Sequence, residues 1–199
     1  FLLVHMSGNL QLFNDDGGES FNIYAYFMTH NPLIKTISYG LYFFILLHTI
    51  QGIALAAKNR SARKVKYKIA KYPSASFASK RMAFLGILIF AFLMLHMGDF
   101  WFKMKFTDQL AMVSYDGYNY EVKDLYARVA IAFQEVWIVI AYLVGLLALA
   151  VHLWHGFDSA FQTLGLRHKR FGGVFKAVGR AYSILVPLGF AIQPIYFLI

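Results

Sequence analysis

Apolar runs separated by polar segments make up most of this 199-residue chain, and several of the runs are long. An α-helix rises 1.5 Å per residue, so about 20 apolar residues cross the roughly 30 Å of hydrocarbon in a bilayer. The pattern predicts an all-α membrane protein with a single domain over residues 1–199. Its first four transmembrane helices are expected to form a bundle, and all five are predicted at approximately 1–13, 32–57, 82–104, 125–163 and 176–199.

Three of these predicted helices have unusual features. The first, Phe1–Phe13, spans only about 20 Å as a helix, so we expect the chain to begin inside a truncated first membrane helix. The fourth, Leu125–Thr163, is longer than a bilayer requires and is expected to overshoot it at one or both ends. In the fifth, Pro187 and Pro194 are expected to bend the helix.

The polar segments between the runs carry turn and interface signals. Asn14–Glu19 has the sequence NDDGGE, which predicts a turn-rich acidic loop. Phe21–Thr29 is rich in aromatic residues and is expected at the membrane interface. Asn31 precedes Pro32, which suits the first turn of the second helix. Thr107–Asp124 is predicted as a polar loop.

Composition supports a membrane protein and excludes some chemistry. Hydrophobic residues make up 59% of the chain and charged residues only 15%, so a water-soluble fold of this size could not bury its apolar surface. The chain has no cysteine, which excludes disulfides, thiolate ligation of haem and iron–sulfur ligation by the chain itself.

The distribution of charge predicts the orientation. Of the 19 Lys and Arg residues, nine lie in Lys58–Arg81 and five in Arg167–Arg180, without any Asp or Glu there. Asn14–Asn31 has three acidic residues and no Lys or Arg, and Lys103–Arg128 has four residues of each sign. The positive-inside rule places the two basic connections in the cytoplasm. They are explained either by attraction to lipid headgroups or by docking of a soluble partner.

Each of the first four apolar runs contains one histidine that we place in the membrane. An imidazole in hydrocarbon is costly and usually has a function. By depth along the predicted helices, His5 and His96 lie toward the outer side, and His48 and His152 toward the cytoplasmic side. We call His5 and His96 the outer pair, and His48 and His152 the inner pair. Members of a pair come from alternate helices, which face each other across the core of a four-helix bundle.

Two facing histidines are typical of a haem with one axial imidazole on each side. The macrocycle needs space beside the helix, and glycines provide it one turn from three of the histidines. Gly8 follows His5 by three residues, while Gly52 and Gly156 follow their histidines by four. Near His96 the chain has only Gly98, which is not on the same face.

Other interpretations of the four histidines remain open. Each imidazole could form only a hydrogen bond across helices. A zinc site would need ligands converging at one level, whereas these lie at two. A proton relay in a transporter is a third interpretation, although no two helices are interrupted at matching positions as transporter helices often are.

The chain resembles the di-haem cytochrome b membrane anchors of succinate:quinone oxidoreductases, of the single-subunit five-helix type. The resemblance covers the whole chain and is based on one histidine in each of the first four helices, in the family's order and spacing. Local matches are a small residue after the second-helix histidine (HTIQG), the segment HLWHGFDS around His152, and Gly86 ten residues before His96.

The resemblance implies that His5 and His96 ligate a distal haem b near the outer face. It implies that His48 and His152, rather than His155, ligate a proximal haem b near the cytoplasm. Some members carry a glutamate for proton transfer two residues before the fourth histidine, where this chain has Ala150.

The family also implies partners and a membrane. The partners are a flavoprotein subunit with FAD and an iron–sulfur subunit, both on the cytoplasmic side of a bacterial cytoplasmic membrane. The chain would be the non-catalytic electron-transfer and quinone-binding subunit of respiratory complex II, with membrane lipid around it and no nucleic acid bound. The substrate would be a quinone, menaquinone being expected, and the heterotrimer could form a higher oligomer.

Further site residues are predicted from their level in the membrane. Asp99 and His30 are candidates for quinone binding near the outer face, because a quinone site needs donors for two carbonyls and a proton-delivering group. Arg81, His155 and Arg180 are candidates for contacts with haem propionates on the inner side. The ascorbate-linked di-haem cytochromes place ligands in a fifth helix, but the fifth predicted helix here has no histidine.

Overall fold

The computed structural model describes residues 1–62, 77–166 and 171–199, and only the backbone of residues 77–80. The α-helices are α1 (Leu2–Asn9), α2 (Glu19–His30), α3 (Pro32–Ser61), α4 (Phe77–His96), α5 (Lys103–Phe106), α6 (Leu125–Phe133), α7 (Val136–Thr163) and α8 (Gly172–Leu198). A 3₁₀ turn, Leu10–Phe13, extends α1, and a π-helical segment, Met97–Phe102, joins α4 to α5. Two short strands, β1 (Met112–Val113) and β2 (Val122–Lys123), pair in antiparallel fashion.

Four helices in the described part of the chain are long and apolar enough to cross a membrane: Pro32–Ser61, Arg81–Phe106, Val136–Thr163 and Gly172–Leu198. Their order matches the predicted second to fifth helices. The helical, multi-pass membrane architecture is therefore confirmed at this level. A span at Phe1–Phe13 stays a prediction, because that segment forms the short helix α1 followed by the 3₁₀ turn.

The prediction of one continuous helix over 125–163 is wrong. The helix stops after Phe133 and restarts at Val136, because Glu135 has an extended backbone with φ −84° and ψ 109°. A single helix of that length would measure almost 60 Å, about twice the hydrocarbon thickness. The break lets α6 turn away from the axis of α7 and bury Val129 and Phe133 against neighbouring elements.

Segments predicted as loop and interface are more regular than expected. Residues 19–30 form α2, and the predicted loop 107–124 contains the β1–β2 hairpin. We call α2, the hairpin and α6 the outer cap, because they lie at the helix ends away from the basic connections. Asp16 lies just before α2, and its carboxylate accepts hydrogen bonds from the amides of Gly18 and Ser20 at the start of that helix, each at 3.0 Å. A side-chain hydrogen bond with Ser20 holds the pKa of Asp16 below its ordinary value.

Asn22 links the three parts of the outer cap, and its side chain is 1% exposed. Its Nδ2 donates to the Tyr115 hydroxyl at 2.8 Å and to the Asp124 carboxylate at 2.9 Å. Its Oδ1 accepts from the amides of Leu125 and Tyr126, which are 3.0 and 2.9 Å away at the start of α6. The buried side-chain amide of Asn22 thus has hydrogen-bond partners in the hairpin and at the start of α6, as a buried polar group requires.

Helices α4, α7 and α8 pack closely, whereas α3 does not. Gly145 on α7 lies against Phe92 of α4, and a Cβ at this position would stand 2.5 Å from the ring. Leu146 of α7 is buried with Val186 and Phe190 of α8. In contrast, no residue of α3 is buried, although all of them are described. A ring contact between Tyr42 and Trp101, with centroids 5.7 Å apart, joins α3 to the π-helical segment.

Much of each basic connection lies outside the described residues. The structure includes Lys58 and Arg60 in the last turn of α3, where positive charge complements the helix dipole. Residues 63–76 and 167–170 are not described. The predicted cytoplasmic location of these connections stays a prediction.

Replacing Gly145 with Ala should destabilise the protein by about 1–3 kcal/mol, because the added Cβ would force Phe92 and α4 away from α7. Gly40→Ala in α3 is the control, since a Cβ there meets nothing within 4 Å. Thermal unfolding in detergent measures both variants. Equal thermal midpoints for the two variants would show that the α4–α7 contact does not depend on Gly145.

Replacing Asn22 with Ala should loosen the outer cap, because the amides of Leu125 and Tyr126 would lose their acceptor while remaining buried. Each unsatisfied group costs about 1–3 kcal/mol. Limited proteolysis should then cut the hairpin faster than in the unsubstituted protein. Asn119→Ala, at an exposed position of the hairpin, should leave the rate unchanged. Unchanged cleavage in both variants would contradict the role given to Asn22.

Candidate functional site

The outer pair is brought together by α1 and the end of α4. The ring centroids of His5 and His96 are 5.7 Å apart, with the ring planes at 72°. Aromatic rings enclose the pair: Phe190 lies 5.3 Å from His5, and Phe100 lies 5.5 Å from His96. The pair therefore occupies an apolar, aromatic environment in which an imidazole needs a specific partner.

Tyr142 supplies such a partner for one ring of the outer pair. Its hydroxyl oxygen lies 3.3 Å from Nδ1 of His96. Tyr142 was not among the residues predicted from the sequence. Its signal was a lone hydroxyl in an apolar run, ten residues before His152, which puts it at the level of the outer pair.

The inner pair is brought together by the middle parts of α3 and α7. The ring centroids of His48 and His152 are 5.9 Å apart, with the ring planes at 85°. His48 is exposed and His152 is half-buried. Nδ1 of His152 is buried and has no hydrogen-bond partner in the part of the chain that the structure describes.

The two pairs lie at different levels along α7. Tyr142, which contacts His96, precedes His152 by ten residues on the same helix. At 1.5 Å per residue this separates the two levels by about 15 Å along the helix axis. The arrangement predicted from sequence depth is thus present as two facing histidine pairs, one above the other.

The spacing within each pair fits a metal held between two imidazoles. Metal–imidazole bonds are about 2 Å long, which puts two axial nitrogens about 4 Å apart and their ring centres about 6 Å apart. Both observed separations, 5.7 and 5.9 Å, are close to that value. The histidines present therefore fit the axial positions of two haems.

The glycines one turn from the histidines have different surroundings at the two pairs. A Cβ added to Gly52 or to Gly156 meets nothing within 4 Å, so both glycines face open space. Gly8, in contrast, is covered by the ring of Tyr24, whose hydroxyl donates to the Val4 carbonyl at 3.3 Å. The explanation of Gly8 as space for a cofactor is wrong: its lack of a side chain admits Tyr24.

Residues 1–62, 77–166 and 171–199 contain no group of three His, Cys, Asp or Glu side chains that could hold a metal ion. A haem iron needs only two imidazoles from the chain, because the macrocycle supplies its other ligands.

The two residues predicted for quinone binding have separate environments. Asp99 forms ion pairs with Lys103, at 2.6 Å, and with Arg128, and its Oδ2 is buried without a partner among the described residues. His30 is exposed at the end of α2, stacked on Tyr26 at 3.9 Å with Nδ1 next to the Tyr26 carbonyl at 2.8 Å. A cleft of about 470 Å³ between α2 and the hairpin is lined by neither residue.

Of the three propionate candidates, Arg180 has the most distinctive position. Its guanidinium carbon lies 4.8 Å from the ring centre of Trp154, two residues beyond His152, and its Nε is buried without a partner among the described residues. His155 faces Ser159, with Nε2 and the hydroxyl 3.5 Å apart. Arg81 is exposed at the start of its span.

A second polar contact that was not predicted from the sequence joins Asn9 to Gln193. Nδ2 of Asn9 donates to Oε1 of Gln193 at 3.0 Å, and Gln193 is 4% exposed. Asn9 lies one helical turn beyond His5, and Gln193 lies one turn beyond Phe190, which contacts His5. The contact ties α1 to α8 beside the outer pair.

Known proteins provide no further assignment. Comparison of the chain with models of protein families, with curated proteins and with solved structures gives no match.

Proposed function

We propose that this chain is the membrane-anchor cytochrome b subunit of a succinate:quinone oxidoreductase, with five transmembrane helices including one at α1. The subunit holds two b haems, the outer one between His5 and His96 and the inner one between His48 and His152. It passes electrons between an iron–sulfur subunit and membrane quinone. It is the non-catalytic subunit of respiratory complex II in a bacterial cytoplasmic membrane.

One observation carries the proposal: two histidine pairs have the separation of axial ligands and lie about 15 Å apart along α7. Both pairs have ring centroids slightly less than 6 Å apart, at 5.7 and 5.9 Å. Hydrogen bonds between imidazoles in a haem-free transporter would not require the four histidines to form two pairs at two levels.

The chain's residues hold and orient the cofactors. Haem b supplies one-electron chemistry when bound, as its iron changes between the ferric and ferrous states. The four histidines provide the axial nitrogens, and the glycines of α3 and α7 leave room beside the inner pair. Aromatic residues around the outer pair exclude water. Arg180, beside Trp154, is placed to neutralise a propionate of the inner haem.

The remaining parts of the proposal follow from the family resemblance. A flavoprotein subunit and an iron–sulfur subunit dock at the basic connections, and the quinone is reduced or oxidised near the outer haem. Asp99, whose charge is already balanced by Lys103 and Arg128, holds these side chains in place near the outer pair. His30 is accessible at the outer cap. These two residues remain our candidates for quinone binding.

The purified protein should show a b-type α-band in a reduced-minus-oxidised optical spectrum and contain two haems per chain. Purification should also recover a flavin-containing subunit and an iron–sulfur subunit. A spectrum without this band would refute the di-haem assignment. Two haems without these subunits would support a different di-haem cytochrome.

Replacing His152 with Ala should lower the haem content from two to one, because the inner iron would lose an axial ligand. Pyridine haemochrome analysis gives the stoichiometry. Leu147→Ala, at an exposed position on the same helix, is the matched control, and it should retain two haems. A haem content of two in the His152→Ala protein would refute the ligand assignment.

Replacing Gly52 with Leu should also remove the inner haem, because the side chain would enter the space beside His48. Gly40→Leu is the control on the same helix, where a side chain likewise meets open space but lies about two turns from His48. Haem content and chromatographic behaviour in detergent measure the effect. Two haems in both variants would show that the space beside Gly52 is not needed by the cofactor.

A further inference from the structure

We propose that Tyr142 is a positioning residue for the outer haem, whose hydroxyl fixes the orientation of the His96 ring and lowers the reduction potential of the iron it ligates. This inference builds on the proposed function and adds a residue from outside the ligand set. Tyr142 lies on α7, whereas the two outer ligands lie on α1 and α4.

The ring of Tyr142 is held rigidly in place. The residue is 5% exposed and belongs to the core cluster that joins the outer cap to the membrane helices. Phe133 and Phe92 meet its ring edge to face, with centroids 4.9 and 5.1 Å away and ring planes at 82° and 87°. Such packing leaves the hydroxyl one position, which is next to Nδ1 of His96.

Ligation by His96 determines the direction of this hydrogen bond. A neutral imidazole carries one proton, and the nitrogen that binds iron must offer its lone pair. If Nε2 binds iron, Nδ1 carries the proton and donates it to the Tyr142 oxygen, 3.3 Å away. The hydroxyl therefore selects the tautomer that can ligate and prevents rotation of the ring.

The same bond changes the electronic character of the ligand. Donation from Nδ1 increases the negative character of the imidazole and makes Nε2 a stronger donor to the metal. A stronger donor stabilises ferric over ferrous iron, which lowers the reduction potential. Losing the hydroxyl should therefore raise the potential of the outer haem.

The inner pair provides an internal comparison. Nδ1 of His152 has no hydrogen-bond partner among the described residues, so none of them bonds to this ring as Tyr142 bonds to His96. The side chain of Tyr142 lies about 15 Å along α7 from the inner level. A change confined to the Tyr142 hydroxyl should reach one haem and leave the other unaffected.

The test is a potentiometric titration of the purified complex, with the reduced haem bands as the readout. Tyr142→Phe removes the hydroxyl and retains the ring and its aromatic contacts. Tyr182→Phe is the control, because that ring packs on Phe157 at 5.3 Å on the inner side of α8. The His152→Ala protein, which should retain only the outer haem, identifies which component of the titration belongs to it.

We expect the Tyr142→Phe complex to retain two haems. In this variant the outer haem should titrate at a higher potential than in the unsubstituted complex, and the potential of the inner haem should be unchanged. In the Tyr182→Phe complex both potentials should be unchanged. If both potentials of the Tyr142→Phe complex stay at their unsubstituted values, or if both shift together, the inference is overturned while the di-haem assignment stands. Failure of the di-haem assignment would be distinct, since the unsubstituted protein would then contain no haem.

Discussion

Pairing of imidazoles inside an apolar helical bundle is the constraint on which the rest of this structure depends. A histidine in hydrocarbon is costly unless it has a partner, and each of the four histidines lies opposite one other, with ring centroids nearly 6 Å apart. Two imidazoles on either side of one metal ion have about the same separation. On the proposed function, the haem iron is the partner that the two histidines of each pair share.

This requirement explains the contrast between the helices. α4, α7 and α8 pack directly, with glycines such as Gly145 allowing close approach. α3 has no buried residue, and its His48 ring lies beside the His152 ring of α7. In membranes, helices associate through packing and polar contacts rather than through the hydrophobic effect. A cofactor bound by both His48 and His152 would supply the packing that α3 lacks.

Hydrophobic run length predicted four spans correctly, because a bilayer imposes a minimum length on any helix that crosses it. Depth within those runs also predicted which histidines would face each other. Run length could not predict the break at Glu135, since apolar residues continue on both sides of it and the run alone does not show where one helix ends and the next begins. The contacts of Tyr142 and Asn22 were equally hidden, because they join residues more than 40 positions apart in the sequence.

The two sites differ in what determines their properties. The outer pair is enclosed by residues of this chain, with Phe190 and Phe100 at the rings and Tyr142 bonded to one of them. The inner pair has an exposed histidine and an unpartnered Nδ1 among the described residues, near the basic ends of α3 and α8. Second-shell contacts and solvent access set the potential of a ligated metal. On the proposed function, the outer potential is therefore fixed within this subunit. The inner potential instead depends on what covers the exposed face of α3 beside His48.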